Sequence, residues 1–113
     1  MKAQRLPDYL AHMHQAASDA CAFVHGMSKA EFMADKRTQQ AVIMSLIILG
    51  EAAAQVMESH AAYTAAHQEI PWRSMRGMRN RMAHGYFDID LDVVWETVQA
   101  ALPDLLRRLS PQP

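Results

Sequence analysis

The chain has 113 residues and a mass of 12.7 kDa; half of it is apolar, a fifth is charged, and the net charge is −1. That length supports one hydrophobic core and a single domain over residues 1–113, and the balance of apolar and charged residues excludes a disordered chain. Near-neutrality excludes a global basic field directed at nucleic acid, and a single cysteine, Cys21, excludes an internal disulfide and fits a reducing cytoplasm.

The opening stretch, "MKAQRLPDYL", has no apolar signal-peptide core. The longest apolar run, Ala41 to Gly50, is about half of what a bilayer span needs. A soluble, cytoplasmic protein with no membrane association is expected. Leu6, Leu10, Met13, Ala17, Cys21 and Val24 then recur at steps of three or four, one face of a helix that Pro7 opens and Gly26 closes. Ser28 and Glu31 form a capping-box pattern for a short turn carrying Phe32. Asp35 is placed to cap the next helix, from about Lys36 to Ser59. Val42, Ser45, Leu49 and Val56 lie on one of its faces, and Ile43, Ile47 and Ala54 on another. A helix apolar nearly all round is buried on several sides, so this one is expected both at the centre of a bundle and at a subunit interface.

From His60 to Ile70 the signal is that of a weak helix or a loop. Pro71 suits the first turn of a further helix carrying Trp72, Met75, Met78 and Met82 at helical spacing, and Gly85 suits a left-handed cap at its end. Asp90 caps a last helix with Leu91, Val94, Trp95, Val98, Leu102, Leu105 and Leu109 inward. Pro103 should kink or restart that helix, because its ring displaces a backbone hydrogen bond. Ser110–Pro113 reads as a frayed tail. The fold class that follows is all-α, a four- to five-helix up-and-down bundle.

The chemistry concentrates in "RNRMAHGY", Arg79 to Tyr86. Arg73, Arg76, Arg79 and Arg81 fall within nine residues, and no acid occurs between Pro71 and Phe87, a local charge of +4. Asn80 and His84, four apart, share a helix face. Arg79 and His84, five apart, point roughly 140° away from each other on a straight helix. They converge only if His84 lies in an unwinding last turn, which Gly85 would permit, or if two copies of the segment meet. The negative end of a helix dipole favours protonated His84, and a histidine titrating near neutrality suits a proton shuttle. Attraction for phosphate falls to the arginines. Arginine and histidine with an orienting asparagine are what metal-free cleavage of a phosphodiester by its own 2′-hydroxyl requires. Taken alone, however, an arginine and a histidine on a helix are most often surface or capping residues.

"GMRNRMAHGYFDID" resembles the signature of HEPN-domain proteins, and more closely that of the HepT toxins of the HepT–MntA toxin–antitoxin type. That pattern, R-x-x-x-x-H-x-Y, is matched by Arg79, His84 and Tyr86, with Asn80 after the arginine. "DKRTQQAVIMSLIILGEAA" (Asp35 to Ala53) and "VVWETVQAALPDLL" (Val93 to Leu106) resemble the same family, so the likeness covers well over half the chain. The resemblance implies a HEPN helical bundle, a homodimer with both motifs lining a cleft, and a metal-independent endoribonuclease acting on tRNA or mRNA with no cofactor. It further implies a nucleotidyltransferase partner of MntA type that neutralises the toxin by transferring AMP onto Tyr86. Arg73, Arg76 and Arg81 would add phosphate contacts.

Two other features bear on function. Asp88, Asp90 and Asp92 alternate like a calcium loop, but Val93 and Gln99 stand where glycine and glutamate are needed, so capping explains them better. Glu51 interrupts an apolar helix; a buried carboxylate needs a partner, which would be an arginine of the motif segment or Arg37. The competing functions are a non-catalytic HEPN module that binds RNA or nucleotide or docks a nucleotidyltransferase, and a structural dimerisation protein. Neither accounts for Arg79, Asn80, His84 and Tyr86 together.

Overall fold

A computed structural model describes residues 5–109; the tail at Ser110–Pro113 lies outside the described residues. The helices run in the order α1 (Leu6–Phe23), α2 (Lys29–Met33), α3 (Lys36–Ser59), α4 (Ala61–Ala66), α5 (Trp72–His84), α6 (Leu91–Glu96) and α7 (Leu102–Leu109), and the described residues hold no strand. The architecture is an all-α bundle of HEPN type. α3 lies between α1 and α5, and α7 closes onto α1.

Local chemistry sets the boundaries. The Ser28 hydroxyl accepts from the Glu31 amide at 3.1 Å while the Glu31 carboxylate accepts from the Ser28 amide at 2.8 Å, so the capping box is complete. Asp35 accepts from the Thr38 amide at 3.1 Å and from the Thr38 hydroxyl at 2.8 Å, which satisfies an orphan donor at the start of α3. Those two bonds hold the Asp35 carboxyl below its usual range. Asp90 caps α6 through the Asp92 amide at 2.9 Å, and Asp92 pairs with Lys29 of α2 at 2.7 Å, so the alternating aspartates are helix-start chemistry.

The weak segment after His60 forms one short helix, α4, with no buried residue. Gly26 takes a positive φ of 79°, as a helix-closing glycine should. Gly85 does not: its φ is −133°, and the expected left-handed cap is absent. Instead its amide donates to Arg81 O at 2.8 Å and its carbonyl accepts from the Asp88 amide at 2.9 Å, so α5 runs directly into a 3₁₀ turn at Tyr86–Asp88. Pro103 acts through a π turn over Thr97–Ala101, which joins α6 to α7. The Leu102 amide bonds Thr97 O there, and the wider turn accommodates a ring that lacks its own N–H.

Met13, Phe32, Val42, Leu46, Leu49, Val56 and Val94 are sealed from solvent, each side chain supplying about 1.5–3 kcal/mol of apolar burial. By length and composition α3 is apolar enough to cross a bilayer, with mean hydropathy 1.6, because Ala52–Ala54 and Val56 extend the apolar run beyond Glu51; half of that window is buried inside the fold. Its apolarity is therefore that of the bundle's central helix. The cover is incomplete on one side: Met44 and Ile48 remain exposed.

Candidate active site

Site geometry starts where α3 crosses α5. Gly50 is buried there, and a Cβ built on it would meet the Met75 carbonyl at 2.6 Å and Arg79 Cβ closer still. Only glycine lets the two backbones approach this far. Met75, Met78 and Met82 turn into the core at helical spacing, which fixes the rotation of α5. The same rotation lays the stem of Arg79 over α3 and brings its Nη1 to the Glu51 carboxylate as an ion pair. Gln55, one turn further along α3, donates its Nε2 to the other Glu51 oxygen at 3.1 Å. The Arg79 Nε is buried with no hydrogen-bond partner.

Of the partners open to Glu51, an arginine of the motif segment or Arg37, the structure selects Arg79. Arg37 stands fourteen residues away on the same helix, about 21 Å along its axis, and cannot reach. Nor is Glu51 the buried carboxylate expected: its side chain is 52% exposed, while that of Arg79 is 23% exposed. Sequence reasoning also missed Gly50 and Gln55. A glycine inside a long helix costs about 1 kcal/mol relative to alanine, which was a signal of close backbone approach; Gln55 carries no such mark.

Asn80 and His84 are exposed and share one face of α5, with Arg73 and Arg76 continuing the same stripe towards the helix start. From Arg73 to His84 the stripe extends about 16 Å, eleven residues at the helical rise. Arg81 is exposed beside it, its guanidinium lying back near Gly77. α5 stays helical through His84, so the unwound last turn that would bring His84 towards Arg79 is not formed. Among the described residues no hydrogen bond or ion pair joins the two.

Tyr86 is 63% exposed. Its ring tilts onto Phe87 with centroids 4.6 Å apart, and it lines a groove of about 320 Å³ with Ile43, Met44 and Ile47 of α3. The tyrosine is therefore largely open to solvent, at the edge of a groove that Leu91 at the start of α6 also lines. Among the described residues, no three His, Cys, Asp or Glu side chains gather into a metal site.

An all-α bundle that carries a partly buried arginine and an exposed histidine on one helix is consistent with a HEPN-type domain. Residues 13–111 match the family described as Ribonuclease HepT-like, and the chain belongs to it. It is 38% identical to "Probable ribonuclease HepT" of Thermococcus cleftensis over 98 residues, 87% of this chain and 86% of that protein. It is 32% identical over 91 residues to a "Putative RNase" of Methanocaldococcus jannaschii, covering 80% of this chain and 73% of the relative. A "Putative RNase" of Caldanaerobacter subterraneus subsp. tengcongensis is 30% identical over 101 residues, 89% of this chain and 88% of the relative. No solved structure matches the chain.

Proposed function

We propose that this protein is a cytoplasmic, metal-independent endoribonuclease that cleaves tRNA or mRNA as the toxin of a toxin–antitoxin pair. The observation that carries this is the division of labour on α5: Arg79 is anchored against α3, while Asn80 and His84 stand exposed on a stripe shared with two further arginines. In the reaction a base takes the proton of an RNA 2′-hydroxyl and the oxygen attacks the adjacent phosphorus. The 5′-oxygen then leaves with a proton, giving a 2′,3′-cyclic phosphate. His84 moves protons, Arg79 stabilises charge on the phosphoryl oxygens, and Asn80 orients. Arg73, Arg76 and Arg81 hold neighbouring phosphates.

A homodimer supplies the convergence that one straight α5 does not, by bringing His84 of one copy towards Arg79 of the other. The exposed Met44 and Ile48 on α3 support such an interface. Control fits Tyr86, whose exposure leaves its hydroxyl open to a nucleotidyltransferase partner of MntA type. The phenol oxygen attacks the α-phosphorus of ATP and pyrophosphate leaves. The AMP so attached brings a phosphate and a purine to the site and denies it to RNA.

The test is cleavage of a tRNA and mRNA pool in EDTA. His84→Ala and Arg79→Ala should lose cleavage and growth inhibition, with the His84 variant keeping wild-type stability because the residue is exposed. A requirement for divalent metal, or full activity in the His84 variant, refutes the mechanism. Tyr86→Phe should cleave RNA but escape AMP transfer, read by intact mass after incubation with partner and ATP; modification of that variant removes Tyr86 as acceptor.

A further inference from the structure

The geometry points to Glu51, held by Gln55 and placed by Gly50, as the positioning residue that presets Arg79 for the phosphoryl group; this rests on the ribonuclease reading. Each part of the device answers a different freedom of the arginine. Gly50 removes the side chain that would hold α5 off α3, so the Arg79 stem lies flat on the α3 backbone. Glu51 then binds Nη1 with one carboxylate oxygen, and Gln55 at 3.1 Å binds the other, so the carboxylate is itself prevented from rotating. The buried Nε makes no hydrogen bond, so the guanidinium is oriented from its Nη1 end alone. The Nη2 hydrogens and the second Nη1 hydrogen are left for phosphate oxygens.

A carboxylate beside the arginine that receives phosphate looks counterproductive, since it offsets part of the positive charge. That cost applies to bound RNA and to the transition state alike, while the exposed Arg73, Arg76 and Arg81 supply phosphate attraction without it. What Glu51 adds is orientation, which matters where charge develops on the phosphoryl oxygens. A free arginine distributes over many rotamers, and fixing one is worth roughly a tenfold or greater gain in the productive fraction. A positioning role therefore separates the two kinetic constants. Glu51→Ala should lower kcat roughly tenfold or more and leave KM unchanged or reduced. A structural role would instead lower thermal stability and raise KM with it.

The conservative variant separates positioning from proton transfer. Glu51→Gln keeps an oxygen that accepts from Nη1 but cannot take a proton, so it should retain most of the kcat that Glu51→Ala loses. Two measurements decide the matter. The first is steady-state cleavage of one RNA by wild type, Glu51→Ala and Glu51→Gln. The second is ¹⁵N NMR of the Arg79 Nη1–H signal, whose proton Glu51 accepts, assigned by its loss in Arg79→Lys. That signal should exchange slowly with water in the wild type and in Glu51→Gln, and rapidly in Glu51→Ala. An unchanged Arg79 signal in Glu51→Ala overturns the inference, whatever the RNA assay returns. Equal loss of kcat in Glu51→Gln and Glu51→Ala overturns it too, by making the carboxylate a proton carrier. Wild-type protein that cleaves no RNA refutes the ribonuclease reading, and the NMR signal still decides whether Glu51 orders Arg79.

Discussion

Gly50→Ala inverts the usual effect of its substitution. In an ordinary helix interior, replacing glycine by alanine stabilises by about 1 kcal/mol, since alanine restricts the unfolded chain and glycine does not. Here the new methyl would sit 2.6 Å from the Met75 carbonyl and nearer still to Arg79 Cβ. Ordinary van der Waals contact lies at 3.4–4 Å, so α5 must withdraw by roughly 1 Å. Both opposing atoms belong to backbone or to a side-chain root, so no rotamer change relieves them. Withdrawal also loosens Met75, Met78 and Met82, which α5 contributes to the core. Overpacking costs of about 3 kcal/mol or more at such a contact outweigh the propensity gain, leaving a net loss of about 2 kcal/mol and a fall in Tm on the order of 10 °C. Thermal and urea unfolding followed by circular dichroism measure it. A Gly50→Ala protein as stable as the wild type, or more so, would refute the close crossing and the placement of Arg79 that depends on it.

Phe32→Ala should cost about 3–5 kcal/mol in urea unfolding, because Phe32 is sealed and its ring meets Trp95 at a centroid distance of 5.4 Å. Asp35 has a depressed carboxyl, so its contribution is present above the unfolded pKa near 3.9 and lost as pH falls through the lower folded value. Tm should thus fall more steeply between about pH 5 and pH 3 in the wild type than in Asp35→Asn, whose cap does not titrate. Parallel pH profiles would remove Asp35 as the cause. Light scattering should give twice the 12.7 kDa chain mass for the wild type and a single chain mass for Ile48→Glu, which places a charge on the exposed apolar face of α3. A monomeric wild type at micromolar concentration removes the homodimer.

Local patterns in the sequence determined the helices because each depends on neighbours a few residues apart. The Ser28–Glu31 box, the Asp35 and Asp90 caps, and the core-facing Trp72, Met75, Met78 and Met82 stand where spacing put them. The motif from Arg79 to Tyr86 was equally legible, since residue identity and order alone define it. What spacing could not decide was anything set by the meeting of two elements. Gly85 avoids a left-handed cap because the chain must turn at once into Tyr86–Asp88, and Pro103 is absorbed by a π turn that packs against α1. The partner of Glu51 was open between the arginines of the motif segment and Arg37 until the α3–α5 crossing placed Arg79 beside it and left Arg37 about 21 Å away. Gly50 decided that crossing, and its role became visible only when a second backbone lay against it, because a missing side chain has no chemistry of its own to read.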